Sequence, residues 1–102
     1  MGSVRDAELR EELRKTFDPA PWSLLKLHAQ RDGLIWVSPG LSLLDVAVAM
    51  ATDDVKVVEA WLTQGLVRRP SPSEIASWDL TPQREFLSVV VQPWALFQEL
   101  SA

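Results

Sequence analysis

The stretch from Leu43 to Arg69 constrains the fold more than any other part of this chain. It reads LLDVAVAMATDDVKVVEAWLTQGLVRR, which predicts an apolar helix, a short polar break, a second helix that ends at Gly65, and the start of a strand. In such a helix pair, Ala47 takes the small-residue position of the first helix and Ala51 takes the position in the turn. Val57 and Trp61 take core positions of the second helix. This pattern is typical of the helix–turn–helix of winged-helix domains, whose second helix lies in the major groove of DNA.

The predicted second helix carries the wrong charge for that role. It contains Asp53, Asp54 and Glu59 against a single cation, Lys56. From residue 41 to residue 69, four acidic side chains stand against three basic ones, which leaves a net charge of −1. Because DNA binding needs cations at the phosphates, the stretch that predicts the architecture argues against its usual function.

A DNA-binding transcriptional regulator of the winged helix–turn–helix type therefore stays as the alternative function. The side chains that would contact DNA are the four cations of the second helix and the wing: Lys56, Arg68, Arg69 and Arg84. Apart from Gln64, the second helix offers no Arg, Asn or Gln that could read a base. A net charge of −4 and a pI near 4.8 also disfavour contact with nucleic acid.

Composition indicates a single folded domain. A chain of 102 residues with 47% hydrophobic residues can fill one core, and its charge is too low for a disordered protein. The lack of cysteine excludes disulfides and thiolate metal sites. The N-terminal segment is charged throughout, and no apolar run approaches the ~20 residues of a membrane span. We therefore expect a cytoplasmic protein with no signal peptide and no membrane contact.

Residues 1–17 are predicted to form an N-terminal amphipathic helix, and residues 18–102 the winged-helix-like domain. Leu9, Leu13 and Phe17 recur every four residues and make a narrow apolar stripe. Such a stripe fits a helix docked on its own domain, and it also fits an arm that pairs two chains. Both interpretations stay open at this point.

Local signals predict the helix and strand that follow. Asp18 is expected to cap a helix that runs from Trp22 to about Gln30 and stops at Gly33. The apolar run at residues 34–37 predicts a short strand.

Further signals complete the order of elements. The capping-box spacing predicts helix starts at Ser42 with Asp45 and at Ser71 with Glu74, and Thr52 with Asp53 is expected to cap the second helix of the pair. That helix should bury a core stripe of Val55, Val58 and Leu62. Short strands are expected at residues 66–67 and 86–92. The resulting order is helix, helix, strand, helix, helix, strand, short helix, strand, which predicts a small winged-helix-like domain of the α+β class.

Catalytic groups are sparse. His28 is the single histidine and lies near the end of a predicted helix, where a surface or half-buried imidazole is the simpler explanation. Asp53 and Asp54 fit a helix cap and first turn, and the serines are explained by their capping positions. Four scattered glycines form no phosphate-binding loop. We therefore expect no enzyme activity, no metal and no cofactor.

Five tryptophans are many for a chain of this length. Four of them fall in predicted helices or strands and are expected in the core: Trp22, Trp36, Trp61 and Trp78. Trp94 instead follows Pro93 in the apolar tail Pro-Trp-Ala-Leu-Phe, which either closes the sheet or forms a patch for another chain. The candidate protein-interaction residues are three acids and two aromatics: Asp53, Asp54, Glu59, Trp94 and Phe97.

Several short motifs together resemble a bacterial family of small uncharacterised proteins, domain of unknown function 2288. They extend from about Leu13 to Gln98 and are Pro21-Trp22, Leu44-Asp45-Val46-Ala47, Asp53-Asp54, Trp61-Leu62-x-x-Gly65, Trp78 and Val90-Val91-x-Pro93-Trp94 with Gln98. The resemblance implies a bacterial cytoplasmic protein and no particular activity. The residues themselves lead us to expect a non-enzymatic protein-binding or adaptor domain, whose partner is another protein or a second copy of itself.

Overall fold

Residues 3–100, the part of the chain that the computed structural model describes, form five helices and five strands. In chain order they are α1 (Ser3–Lys15), β1 (Asp18–Pro21), α2 (Trp22–Gln30), β2 (Leu34–Val37), α3 (Leu43–Ala51), α4 (Val55–Gln64), β3 (Val67–Arg68), α5 (Pro72–Asp79), β4 (Glu85–Val91) and β5 (Trp94–Glu99). Side chains are described from residue 7 to residue 100. The predicted α+β class is confirmed, and the sheet holds two strands that the sequence did not predict, β1 and β5.

The five strands form one mixed sheet in the order β1-β4-β5-β2-β3. Neighbouring strands are antiparallel except for β2 and β5, which run parallel with Ile35 opposite Leu96. The apolar tail therefore closes the sheet, since β5 lies at its centre with Ser88 of β4 opposite Phe97. The tail was expected either to close the sheet or to form a surface patch. Its middle residues, Ala95, Leu96 and Phe97, are buried in the sheet.

Strand β1 replaces the helix cap that was expected at Asp18. Residues 18–21 pair with β4 at the sheet edge, where prolines are tolerated because one side of the strand needs no amide donor. Helix α2 begins at Trp22, and Pro21 occupies its N-cap position without a side-chain capping hydrogen bond within the described residues. Its first amides instead donate to backbone carbonyl oxygens of the turn before β4, from Trp22 N to Arg84 O at 2.8 Å and from Ser23 N to Pro82 O at 2.9 Å. The predicted Asp18 cap is therefore wrong.

Apolar residues alternate along the strands and form one core cluster on each face of the sheet. On the face towards α3, Ile35, Val37, Val89 and Leu96 pack with three residues of that helix: Leu43, Val46 and Ala47. On the opposite face, Phe86 and Phe97 pack with residues of α2 and α5: Trp22, Leu25 and Trp78. The sheet is thus covered by helices on both sides.

The N-terminal helix rests on this chain's own body. Leu13 and Phe17 pack against the cluster that contains α3. Arg10 pairs with Asp45 of α3 at 2.9 Å, so Asp45 does not close the predicted capping box back onto Ser42. The Ser42 hydroxyl still accepts a hydrogen bond from Asp45 N at 3.2 Å, which caps α3 as expected. Of the two interpretations of the apolar stripe, docking on the same chain is the observed one.

Aromatic rings fill the core between the sheet and the helices α2 and α5. Trp78 lies edge-on to Phe86 and Phe97, with ring centroids 5.3 and 5.5 Å apart, and tilts against Trp22 at 5.0 Å. The buried Trp22 indole N–H donates to Asp79 at 2.8 Å, and this bond together with Lys26 lowers the pKa of Asp79 below its ordinary value. No helix within residues 3–100 is both long and apolar enough to cross a membrane.

Candidate protein-docking groove

Helix α4 lies on the molecular surface rather than in the core. Each of its ten residues, all in the described part of the chain, is exposed or half-buried. Val55 is 59% exposed and Leu62 49%, while Val58 is half-buried. The prediction that these three residues form a core stripe is wrong, because α4 contacts the core through Trp61 instead. At ~3.6 residues per turn, Trp61 lies roughly 100° around the helix from the apolar stripe.

The exposed stripe of α4 forms one wall of a surface groove, here named the α4 groove. The groove consists of two adjoining cavities with volumes of about 250 and about 450 Å³. Both cavities are lined by the same four apolar side chains: Met50, Val58, Leu62 and Trp94. These shared residues give the groove a continuous apolar centre.

The two ends of the α4 groove carry opposite charge. The smaller cavity is also lined by Asp53, Asp54 and Glu59, from the turn before α4 and from the helix itself. The larger cavity is also lined by Arg68 and Arg69, which follow α4 in the chain. The groove therefore runs from an acidic end through an apolar centre to a basic end.

The acidic end is held by an unusual turn between α3 and α4. Asp53 has a φ of 59°, a left-handed conformation that aspartate adopts more readily than most residues. The Thr52 hydroxyl donates back to Val48 O at 2.8 Å, so it does not cap α4. Asp54 occupies the N-cap, and within the described residues its side chain makes no capping hydrogen bond. The predicted Thr52–Asp53 cap is therefore wrong, and both aspartates are exposed beside the groove.

Trp94 is positioned by a close contact that the sequence did not reveal. It begins β5 opposite Val91, after a hairpin turn that contains Pro93. A Cβ atom at Gly33 would lie 3.0 Å from Pro93 O, so a glycine lets the two backbones approach. Ala95 N donates to Gly33 O at 2.8 Å and ties the same hairpin down. Gly33 was expected to end α2, but the left-handed residue there is Asp32, with a φ of 61°.

At the basic end, Arg68 is held firmly by an acid and an aromatic ring. Its two terminal nitrogens donate to the two carboxylate oxygens of Glu74 at 2.6 and 2.8 Å. Its guanidinium also lies 4.2 Å from the centre of the Trp36 ring, a cation–π contact. The Arg68 hydrogen bonds, helped by the Ser71 amide, lower the pKa of Glu74 from 4.5 to about 2. The predicted Ser71–Glu74 capping box is confirmed in both directions.

The other arginines considered for DNA contact also face acids. Arg69 pairs with Asp32 at 2.6 Å, and Arg84 pairs with Glu99 at 3.2 Å. Lys56 is exposed on α4. Three of the four cations that would contact DNA are thus already paired with carboxylates of the same chain. The acids lie 6 to 37 residues away in the sequence, and no local pattern indicates these pairs.

The comparisons with known proteins agree with the sequence motifs. The model of the family described as "Protein of unknown function (DUF2288)" matches residues 8–99. The chain belongs to this family. A solved structure that it resembles is the NMR solution structure of PA1075 from Pseudomonas aeruginosa, with a TM-score of 0.78 and 27% sequence identity over 100% of this chain and 94% of that one. No curated protein matches the chain.

In this DUF2288 chain, the candidate interaction residues divide between the groove and the core. Asp53, Asp54, Glu59 and Trp94 line the α4 groove together. Phe97 is fully buried among aromatic rings, so it is not available to a partner; the two-residue alternation of β5 turns it to the opposite face of the sheet from Leu96. Sequence reasoning missed Met50 and the exposed stripe of α4, which complete the apolar centre. Within residues 7–100, no group of three or more histidine or acidic side chains is arranged to hold a metal ion.

Proposed function

We propose that this DUF2288 chain is a non-enzymatic protein-binding domain and that the α4 groove is its docking face. The observation that carries the proposal is the exposed apolar stripe of α4, with Val55 and Leu62 each about half exposed or more. A surface helix ordinarily turns its apolar stripe towards its own core. A contiguous apolar surface rimmed by charged residues is typical of an interaction site.

The charges around the groove define the chemistry of the partner. Asp53, Asp54 and Glu59 favour a partner that brings positive charge to the acidic end. The apolar centre favours aliphatic or aromatic side chains, for which Trp94 is a suitable contact because tryptophan is enriched at binding hot spots. Complementary charge would speed the encounter, and the apolar contacts would hold the complex together.

The proposal includes a winged-helix-like arrangement around the groove, which the order of elements supports. Helix α3, the turn at residues 52–54, α4 and β3 follow the order of a helix–turn–helix with its first wing strand. In our proposal the second helix contacts protein instead of DNA, in the cytoplasm. The alternative, a DNA-binding regulator, draws support from the exposed Lys56 and is opposed by the acid-paired arginines.

The proposal can be tested by affinity capture from a bacterial extract with matched variants. Leu62→Glu places a charge in the apolar centre at a side chain that is already 49% exposed. Leu27→Glu on α2 is the control, since Leu27 is 53% exposed and does not line the groove. Circular dichroism verifies that both variants fold like the wild-type protein.

We expect wild type and Leu27→Glu to retain the same partner, and Leu62→Glu to retain at least about tenfold less of it, as for a truncated or charged hot spot. Reversal of charge at Asp53, Asp54 and Glu59 should have the same effect. A partner that is retained equally by all variants would show that the groove is not the docking face.

A further inference from the structure

We infer that the α4 groove is covered by the same groove of a second copy of this protein, related to the first by a two-fold axis. The inference rests on the proposed function, because it names the partner of the same groove. In a two-fold dimer one surface patch faces the identical patch of the other copy. An axis through the apolar centre places the acidic end of one groove on the basic end of the other.

This arrangement satisfies both charged ends at once. A partner with only positive charge would match the acidic end but would bring no acid to Arg69, the exposed cation at the other end. A second copy brings a basic end to the acidic end and an acidic end to the basic end. Two identical sets of opposite charges then face each other on either side of the axis.

The apolar centre provides the contact at the axis. Leu62 is 49% exposed, and Val58, Met50 and Trp94 are half-buried, so each presents part of its apolar surface to solvent. Tryptophan and methionine are enriched in protein interfaces, where they fill irregular gaps. Because the axis passes between two copies of this centre, each apolar contact between two different residues is made twice.

At the basic end, Arg69 is the cation that can change partners. It and Asp32 have side chains 54% and 72% exposed, and a pair so exposed to water contributes little stability. Arg69 can therefore turn to the acidic end of a second copy at small cost. Arg68 stays fixed by the bidentate contact with Glu74 and by the Trp36 ring.

The other surface considered for pairing two chains is already occupied. Leu13 and Phe17 of the N-terminal stripe pack against the core cluster that contains α3. An arm exchanged through that stripe would first have to leave its own domain, whereas the α4 groove is open as it stands.

The first experiment is the mass of the full chain in solution, measured by light scattering across protein concentration. We expect wild type and the Leu27→Glu control to reach twice the mass of the 11.4 kDa chain. Leu62→Glu should raise the dissociation constant by roughly a hundredfold or more, because the charge enters the interface twice. Val55→Lys, at the most exposed position of the stripe, repeats the test should Leu62→Glu fail to fold.

A charge exchange tests the two-fold geometry itself. Glu59→Lys lowers the charge of the acidic end from −3 to −1, and Arg69→Glu lowers the charge of the two positions 68 and 69 at the basic end from +2 to 0, so each variant alone should dimerise about tenfold more weakly than wild type. When the two variants are mixed, the two exchanged charges at positions 59 and 69 face each other at one end, and the native Glu59 and Arg69 face each other at the other end. Native mass spectrometry of the mixture should therefore show a heterodimer in excess of either homodimer.

A monomer at every concentration, or a dimer that Leu62→Glu leaves unchanged, would overturn the inference. A monomer that still retains another protein through a groove sensitive to Leu62→Glu would overturn the dimer and leave the proposed function standing. A dimer insensitive to Leu62→Glu, combined with no groove-dependent capture, would overturn both. A mixture of the two charge variants with only statistical heterodimer would also contradict the two-fold arrangement.

Discussion

Glu74 joins α5, the turn before it and β3 through one carboxylate. It accepts two hydrogen bonds from Arg68 and one from the Ser71 amide, which hold its pKa at about 2 against an ordinary 4.5. A folded-state pKa below the unfolded value means that the carboxylate stabilises the fold above about pH 4.5. That contribution is lost as the pH falls from about 4.5 towards 2.

We therefore expect Glu74→Gln to lower the free energy of unfolding at pH 7 by about 1 kcal/mol, a figure reduced for the partial exposure of the pair. The difference between wild type and the variant should shrink as the pH approaches 2. Urea unfolding at pH 7 and at acidic pH measures both quantities. A difference that stays constant with pH would contradict this account of the Arg68–Glu74 pair.

Gly33 offers a second prediction at the scale of one residue. An added Cβ would meet Pro93 O at 3.0 Å, and a backbone atom cannot turn aside as a side chain can. Gly33→Ala should therefore lower stability by about 1–3 kcal/mol, as for other overpacked sites. Gly40→Ala is the matched control, because its Cβ would approach nothing closer than Ser38 Oγ at 3.9 Å. Thermal unfolding measures the Tm of both variants. An equal decrease in both would show that the close contact at Gly33 is not the cause of the lost stability.

At the scale of elements, the sequence predicts helix boundaries better than it predicts which segments pair as strands. The C-terminus of α4 at Gly65 and the N-terminus of α5 at Ser71 are determined by neighbouring residues, and both are observed as predicted. Strand β1 was missed because two prolines suggest a break, and its pairing partner β4 lies far along the chain. Strand β5 was missed because Pro93 marks a turn, and only the hairpin with β4 makes the tail a strand.

Helix α4 shows a further limit of an amphipathic pattern. The sequence correctly predicts an apolar stripe of Val55, Val58 and Leu62, but an amphipathic pattern does not indicate which part of the molecule covers such a stripe. The core accepts Trp61 instead, and the stripe is left for the groove. The groove residues Met50 and Trp94 come from the end of α3 and the start of β5, so no single segment predicts the site.

This placement of α4 predicts a contrast between two leucine truncations. Leu62→Ala in monomeric protein should cost less than about 1 kcal/mol, since the side chain is half exposed already. Leu43→Ala in α3 should cost about 2–5 kcal/mol, because Leu43 is only 3% exposed and leaves a cavity. Urea unfolding at low protein concentration compares them. Equal losses would mean that the α4 stripe is part of the core.

At the scale of the whole molecule, charge favours the proposed protein-binding function over the DNA-binding alternative. The chain has a net charge of −4, and Arg68, Arg69 and Arg84 are paired with acids of the same chain. Contact with phosphate would add negative charge to a chain that already carries more acids than bases, and Arg68 would have to leave its bidentate contact with Glu74.

We expect duplex DNA to bind no more tightly than non-specific contacts, with a dissociation constant of about 10⁻⁴ M or weaker at physiological salt. Fluorescence anisotropy of a labelled duplex over a range of salt concentrations measures this, with Arg69→Ala as the comparison. Submicromolar binding that falls steeply with salt and weakens with Arg69→Ala would favour the DNA-binding alternative.

The two margins of the sheet also determine how this protein can assemble. One margin is β1, where Pro19 and Pro21 withhold amide hydrogens at alternate positions, and the other is β3, which is two residues long. Neither can template the addition of a further strand, so polymerisation by backbone pairing is blocked at both ends. The proposed dimer accordingly relies on side chains of a helical surface, where a single substitution can abolish the contact.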